Sequence, residues 1–168
     1  MGGLAAHNLL MKELFPYVGT TVIVTEEMCD FNGHMNVNHI KSVFEQGWEY
    51  GMKDFGFNEA YFEAGFSSFT LEDNYRFTKE FLVGDKIFPR FRLFNVNEKL
   101  FHMIGALFDK EGNLSAMYET VEGHIDMSLR KITPMKKSFL TNLFDIKQTH
   151  DALGQIPYEI RLKIRDLN

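Results

Sequence analysis

The spacing of hydrophobic residues changes along the chain, and each change predicts a different element. Residues 18–25 are mostly β-branched, which favours a strand. A polar loop from Glu26 to Asn36 follows, and beyond it apolar side chains recur every three or four positions, which is the spacing of one helix face. The positions on that face are Val37, Ile40, Val43, Phe44, Gly47, Trp48 and Met52.

Both ends of this predicted helix carry capping residues. Asn36 or Asn38 can accept a hydrogen bond from a free N–H group of the first turn. Gly56 can adopt the left-handed conformation that often ends a helix. The opposite helix face is charged, which indicates contact with solvent or with another subunit; it holds Lys41, Glu45 and Glu49.

From Phe66 the period of the pattern becomes two, which predicts half-buried strands. The first of these runs over residues 66–81, where Phe and Tyr alternate with polar side chains. Three more strands are predicted at residues 86–96, 99–108 and 114–127, and Pro89 indicates a bulge or a sheet edge. Short turns join them at Gly84-Asp85, Asn97-Glu98 and residues 109–113, and a helix follows over residues 135–153.

This order of one strand, one helix and four strands joined by short turns predicts an α+β fold. We expect a curled five-stranded antiparallel sheet around a central helix, whose apolar face lies in the concave face of the sheet. The length of 168 residues suits one domain with a sizeable core. The expected division is an N-terminal arm at 1–17, a domain at 18–135 and a C-terminal helical extension at 136–168.

Charge, cysteine count and apolar runs indicate which classes of partner and compartment the protein can have. The net charge is −5, and basic residues cluster only at Arg130-Lys131 and Lys136-Lys137, so the basic stripe of a nucleic-acid-binding protein is missing. The single cysteine, Cys29, excludes an intramolecular disulfide and suits a reducing cytoplasm. No apolar run approaches the ~20 residues of a membrane helix, and the start of the chain lacks signal-peptide features. We therefore expect a cytoplasmic protein that binds neither nucleic acid nor membrane.

The polar loop before the predicted helix concentrates chemically active side chains. It places a carboxylate (Asp30), a glycine that lets a ligand approach the backbone (Gly33), an imidazole (His34) and an amide (Asn36) within seven residues. Free N–H groups at the helix start, near Val37, favour developing negative charge. A thioester carbonyl placed there would be polarised towards an oxyanion, and Asp30 could activate water or attack directly. Serine-hydrolase, zinc-helix, phosphate-loop and dinucleotide motifs are missing from the sequence.

The segment Asp30-Phe31-Asn32-Gly33-His34-Met35-Asn36 resembles the Asp-x-x-Gly-His-x-Asn motif of the 4-hydroxybenzoyl-CoA thioesterase family of hot-dog proteins. It lies where that family has the motif, between the first strand and the central helix, and the resemblance covers about residues 18–135. A looser similarity links the chain to thioesterases of carnitine breakdown, whose members include betainyl-CoA thioesterases. It rests on Thr70-Leu71-Glu72, Glu98-Lys99-Leu100-Phe101-His102 and Glu122-Gly123-His124-Ile125-Asp126-Met127.

The resemblance implies an acyl-CoA thioesterase that hydrolyses a CoA thioester to a free acid and CoA. Asp30 would be the nucleophile or the general base, Asn36 would orient the loop or the attacking water, and a backbone N–H near Val37 would polarise the carbonyl. Gly33 and His34 would shape the turn at the bound substrate. The family further implies no cofactor beyond the CoA of the substrate, and a homodimer or homotetramer with its active site at a subunit interface.

The roles of several of these residues stay open at this point. Glu72 is a second catalytic carboxylate or a solvated strand residue, and Asp30 itself could be a turn residue. His34 fits a structural role better than a catalytic one, because a lone loop histidine often hydrogen-bonds the backbone. The spacing of His34, His39 and Asp30 matches no known zinc site, so we expect no metal.

Two further alternatives concern the ligand. Phe44, Trp48 and Tyr50 would form either an aromatic cage for a quaternary ammonium acyl group or, as we expect for the first two, part of the core. The alternative function is a non-catalytic hot-dog protein that binds acyl-CoA or an acyl carrier in the same pocket.

Overall fold

The computed structural model describes residues 11–165, except for the side chains of residues 49 and 50. Most of the predicted N-terminal arm, and the roles considered for the side chains of Glu49 and Tyr50, therefore lie outside the described residues. The α-helices that lie wholly within the described residues are α1 (Val37–Asp54), α2 (Glu59–Glu63) and α3 (Lys137–Asp151), and a 3-10 helix spans Glu26–Met28. The strands are β1 (Tyr17–Val18), β2 (Val22–Ile23), β3 (Phe66–Phe77), β4 (Lys86–Val96), β5 (Leu100–Phe108), β6 (Leu114–Asp126) and β7 (Lys131–Ile132).

The strands form one sheet in the order β1-β4-β5-β6-β3. In addition, β2 pairs with β4, and β7 pairs with β6. Both short N-terminal strands pair with β4 in antiparallel register, and β7 pairs with β6 in the same way. The prediction of one long helix and four long strands in this order is confirmed, as is the helix over 135–153. The short elements α2 and β7 were not predicted.

The predicted continuous strand over residues 18–25 is wrong, because the segment forms two separate strands. Tyr17 pairs with Phe91, and Val22 pairs with Ile87. Val22 is therefore five residues after Tyr17, while its partner is only four residues before Phe91 in β4. The extra residue interrupts the ladder next to Pro89, which has no N–H to donate and whose carbonyl accepts the Gly19 N–H at 3.0 Å. The bulge indicated by Pro89 is thus present, and it breaks the strand opposite.

The prediction for residues 66–81 is correct for the strand but wrong about its length and burial. Strand β3 ends at Phe77, and Phe81 is buried in the following loop. Leu71 and Phe77 are 43% and 49% exposed, so the apolar side chains of β3 are not regularly buried. The reason is that β3 is the last strand in the sheet order and has one neighbour.

Contacts divide the chain into two compact units, and the first comprises the described residues up to Gly51, Tyr75–Arg92 and Gly105–Tyr118. Its core is aromatic. Phe44 of α1 lies 5.2 Å from the ring of Tyr118 and 6.5 Å from that of Phe91, while Trp48 stacks on Phe91 at 5.5 Å. Phe44 and Trp48 are both buried, so they belong to the core, as expected, and form no open cage.

The second unit comprises Met52–Asn74, Leu93–Ile104 and the described residues from Glu119 onward. In this unit a buried carboxylate accepts hydrogen bonds from the irregular C-terminal segment. Glu119 accepts hydrogen bonds from the backbone N–H groups of Arg161 (3.0 Å) and Leu162 (2.9 Å), and lies 3.5 Å from the His102 ring. Burial opposes ionisation, but His102 and the two N–H groups hold the pKa of Glu119 below its usual range.

A second buried carboxylate of this unit, Glu122, is bound by hydroxyl groups. Its Oε1 accepts hydrogen bonds from the Thr70 hydroxyl at 2.6 Å and the Thr120 hydroxyl at 3.1 Å. Burial raises the pKa of Glu122 despite these bonds, and the charge of Asp73 acts in the same direction. The folded state therefore favours the protonated form of Glu122.

This raised pKa predicts a pH-dependent effect of Glu122→Gln. A carboxyl whose pKa is higher in the folded state stabilises the fold at low pH, and that contribution is lost as pH rises through the folded pKa. Glutamine keeps the accepting Oε1 and cannot ionise. We therefore expect the unfolding free energy of Glu122→Gln, relative to wild type, to increase from about pH 4 to about pH 8.

Chemical denaturation across this pH range measures the effect. Glu72→Gln makes the same substitution at an exposed position of β3 and serves as the matched control. We expect its difference from wild type to stay flat. A flat curve for Glu122→Gln as well would contradict the preference for a protonated Glu122.

None of the helices within residues 11–165 has the length and apolar character needed to cross a bilayer.

Candidate active site

The predicted catalytic loop is a tight turn closed by Asp30. The Asp30 N–H donates to the His34 carbonyl at 3.0 Å, and the Gly33 N–H donates to the Asp30 carbonyl at 2.9 Å. The Asp30 Oδ1 also accepts the Asn32 N–H at 2.9 Å. Gly33 has φ = 81°, a left-handed conformation that glycine adopts without strain. The sequence thus fixes the position of the Asp30 carboxylate by local hydrogen bonds.

Helix α1 begins directly after this turn, and Asn36 caps it. The Asn36 Oδ1 accepts the Asn38 N–H at 2.9 Å, so Asn36 is the cap and Asn38 is a helical residue. The Val37 N–H, at the first helical position, donates no hydrogen bond to any of the residues that the structure describes. The start of α1 therefore offers a backbone donor at the positive end of the helix dipole.

The far end of the loop is held by the backbone. The Asn36 N–H donates to the Met28 carbonyl and the Met35 N–H to the Phe81 carbonyl, each at 2.8 Å.

Gly56, with φ = 98°, follows the other end of α1, and its N–H donates to the Lys53 carbonyl at 3.0 Å. Both predicted ends of the helix are confirmed.

His34 and Asp30 are close to one another. The His34 Nδ1 lies 3.6 Å from the Asp30 Oδ1, and their side chains are 39% and 21% exposed. This distance gives an ion pair when the imidazole is protonated. Because Oδ1 also accepts the Asn32 N–H, one carboxylate oxygen serves both the turn and the imidazole.

A cleft of about 390 Å³ opens beside the helix start, a volume typical of small-molecule sites. Two of the predicted substrate-binding residues, His34 and Val37, line it, whereas Asp30, Gly33 and Asn36 are not lining residues. Its wall is mixed, with apolar, hydroxyl and charged side chains. The lining residues are His34, Met35, Val37, Ile40, Phe77, Thr78, Lys79 and Glu80.

The positive charge of Lys79, one of the lining residues, is paired with a carboxylate of the protein. The Lys79 Nζ donates to the Asp109 Oδ2 at 2.7 Å, and this ion pair raises the pKa of Lys79. Burial opposes ionisation of Asp109, but hydrogen bonds from Lys79 and Asn113 hold the pKa of Asp109 below its usual range. The pair was not predicted, because the two residues lie 30 positions apart and no local pattern joins them.

Glu72, the second predicted carboxylate, is not a lining residue of the cleft. It is an exposed residue of β3 and belongs to the second unit, whereas Asp30, Asn36 and the cleft belong to the first. The buried carboxylates of the second unit are Glu119 and Glu122. Neither was predicted as a site residue, although Glu122 belongs to a segment that carries the looser family similarity. Among the side chains that the structure describes, no group of three or more from His, Cys, Asp or Glu is arranged to hold a metal ion.

Residues 23–143 match the family model of the thioesterase-like superfamily. A curated relative from Rhizobium meliloti (strain 1021), described as an L-carnitine dehydrogenase/betainyl-CoA thioesterase, is 28% identical over 125 residues. That alignment covers 74% of this chain and 25% of the relative, so the chain spans about a quarter of the length of the curated relative it matches.

Solved structures share the fold at low identity. A hypothetical protein from Staphylococcus aureus, solved in complex with CoA, superposes with a TM-score of 0.74 at 18% identity, covering 88% of this chain and 95% of that one. A 1,4-dihydroxy-2-naphthoyl-CoA thioesterase from Synechocystis superposes with a TM-score of 0.65 at 16% identity, covering 77% and 96%. The predicted hot-dog fold is confirmed, and the chain belongs to the thioesterase-like superfamily.

Proposed function

We propose that this protein is an acyl-CoA thioesterase that hydrolyses a CoA thioester to a free acid and CoA. The observation that carries the proposal is the cleft at the start of α1, which His34 and Val37 line next to the Asp30 turn. The Val37 N–H donates a hydrogen bond to none of the residues that the structure describes. Membership of the thioesterase-like superfamily supports the same activity. So does the CoA bound to the related fold from Staphylococcus aureus.

In this proposal the thioester carbonyl lies at the helix start, with its oxygen towards the Val37 N–H. That donor stabilises the oxyanion that forms when the carbonyl is attacked. Asp30 acts as the nucleophile or as the base that activates water. Asn36 caps α1 and so fixes the position of the loop relative to the start of the helix. Gly33 shapes the turn beside the site, His34 lines the site itself, and no cofactor takes part beyond the CoA of the substrate.

We further propose a cytoplasmic homodimer or homotetramer. The lone Cys29 suits a reducing compartment. The exposed apolar side chains of β3, at the end of the sheet, support burial against another subunit.

One observation favours the second candidate function, a protein that binds acyl-CoA without hydrolysing it. Asp30 is not among the residues that line the cleft, and its Oδ1 is engaged by the Asn32 N–H. Such a protein would bind the ester in the same cleft and release no CoA.

Thiol release from a panel of acyl-CoAs tests the proposal. The panel contains short, branched, aromatic and cationic acyl groups, including the betainyl group in the name of the curated relative. We expect catalytic CoA release from at least one ester. Tight binding of the esters in calorimetry, without CoA release from any of them, would reject hydrolysis in favour of the binding protein.

A further inference from the structure

A second cavity, of about 340 Å³, lies within the second unit and shares no lining residue with the cleft at the start of α1. Strands β4 and β5 supply part of its wall, and the irregular C-terminal segment supplies the rest. Most of the lining side chains are apolar, namely Phe94, Ile160, Leu162 and Ile164. The cavity therefore has the size and the wall to hold the apolar body of a small ligand.

Hydrogen bonds fix the C-terminal wall of this cavity. The buried Glu119 accepts the backbone N–H groups of Arg161 and Leu162, as described above. Further along, the Asn97 Nδ2 donates to the Arg165 carbonyl at 3.3 Å. Because the segment is bonded on both sides of the cavity, the cavity is a defined feature of the second unit.

One polar side chain of the wall is buried and lacks a hydrogen bond of normal length. His102 lines the cavity and is 1% exposed. Its Nδ1 forms no hydrogen bond with any of the residues that the structure describes, and its Nε2 has only the 3.5 Å contact with the Glu119 Oε2. An unbonded buried polar group costs free energy, so a ligand that supplies the missing partner would be stabilised in the cavity.

The other polar side chains of the wall offer hydrogen-bond donors. The Asn95 Oδ1 already accepts the Val96 N–H at 2.9 Å, which leaves the Nδ2 donor of Asn95 without an acceptor in the described part of the chain. The ammonium of Lys163 forms neither an ion pair nor a hydrogen bond there. A protonated His102 would be a third donor. Donors of this kind match a ligand group that is negatively charged and only accepts hydrogen bonds, which is what a carboxylate does.

We propose that this cavity binds a small carboxylate with an apolar body, such as the anion of a medium-chain fatty acid. Lys163, Asn95 and His102 bind the carboxylate, and the apolar wall contacts the chain of the ligand. Glu119 does not contact the ligand, because its oxygens serve two backbone N–H groups and His102. The site concerns binding alone, so it stands whether or not the protein hydrolyses thioesters.

Calorimetry with three probes separates the contribution of charge from that of apolar contact. Octanoate has both features, octanamide keeps the chain without the charge, and acetate keeps the charge without the chain. We expect octanoate to bind with a Kd of about 1 mM or lower, octanamide to bind at least about fivefold more weakly, and acetate to show no measurable binding. Equal affinities of octanoate and octanamide, or no binding of octanoate, would overturn the proposal.

Lys163→Gln tests whether this side chain supplies the charge. Lys163 is exposed, so the substitution leaves the core of the second unit intact. We expect it to weaken octanoate binding about fivefold and to leave octanamide binding unchanged. Lys131→Gln is the matched control, because it removes an exposed lysine of the same unit that does not line the cavity. An effect on octanoate that is equal in the two variants, or missing from both, would overturn the site.

Imidazole signals in NMR spectra distinguish this cavity from the cleft, because His102 lines the cavity and His34 lines the cleft. Through-bond correlations to the backbone assign both rings without any substitution. We expect octanoate to shift the ring signals of His102 over the same concentration range as the calorimetric binding. Shifts confined to His34 would place octanoate in the cleft and overturn the proposed second site.

Discussion

Asp30→Asn is expected to lower kcat/KM for CoA thioester hydrolysis by about 100-fold or more, the usual effect of removing a general base or nucleophile. The substitution removes the charge but keeps an Oδ1 that can accept the Asn32 N–H. The turn should therefore stay intact while the chemistry is lost. Thiol release under conditions that give kcat and KM separately measures the effect, and thermal unfolding checks that the fold is retained.

Two matched variants make this result specific. Asp54→Asn removes the same charge from the exposed last residue of α1, and Glu72→Gln removes the other carboxylate candidate. We expect both to keep kcat/KM within about threefold of wild type, because both residues are exposed and neither belongs to the Asp30-to-Asn36 turn. Equal rates for Asp30→Asn and wild type would remove Asp30 from the mechanism. A large loss for Glu72→Gln would restore Glu72 as a catalytic residue.

The second large effect concerns stability, at Gly47 on the buried face of α1. An alanine in a helix interior normally stabilises it by about 1 kcal/mol relative to glycine. At this position the added methyl group would overlap the ring of Phe91, which is fully buried. We expect Gly47→Ala to destabilise the fold by about 2–3 kcal/mol, and to lower Tm by roughly 4–12 °C.

A double variant tests the proposed cause. Phe91→Leu shortens the side chain that the methyl group would meet, so Gly47→Ala should cost less in that background, with a coupling free energy of about 1 kcal/mol or more. Gln46→Ala, at the exposed neighbouring position, is the control and should change stability by no more than about 0.5 kcal/mol. Strictly additive free energies of unfolding would show that Phe91 is not the reason.

The parts of the fold that the sequence predicted correctly are those that follow from local periodicity. The apolar positions from Ile40 to Trp48 recur at helical spacing and are buried, and the capping amide and the terminal glycine lie where helix ends require them. The longer strands β4 to β6 likewise follow from their alternation and from the turns between them.

The errors arose where a non-local partner decides the structure. The break between β1 and β2 depends on Pro89 in the strand opposite, about 70 residues away, and no feature of residues 18–25 shows it. The burial of β3 depends on its place at the end of the sheet, which alternation alone does not give.

The same reasoning applies to the candidate site. The Asp30-to-Asn36 turn was recognisable because its hydrogen bonds join residues within a few positions of one another. The Lys79–Asp109 pair and the tail contact of Glu119 join residues 30 and more than 40 positions apart, so the chain fold had to be known first. That Phe77 and Glu80 line one cleft could likewise be learned only from the fold.

Reaction of a hydrolysable acyl-CoA in ¹⁸O-labelled water is the most direct test of the hydrolase activity. Mass spectrometry under multiple turnover should show one labelled oxygen in each molecule of acid and an equimolar amount of free CoA, with both products reduced about 100-fold or more in Asp30→Asn. Recovery of the intact ester at enzyme concentrations that bind it fully, across the whole acyl panel, would contradict the account and leave a protein that binds acyl-CoA without cleaving it.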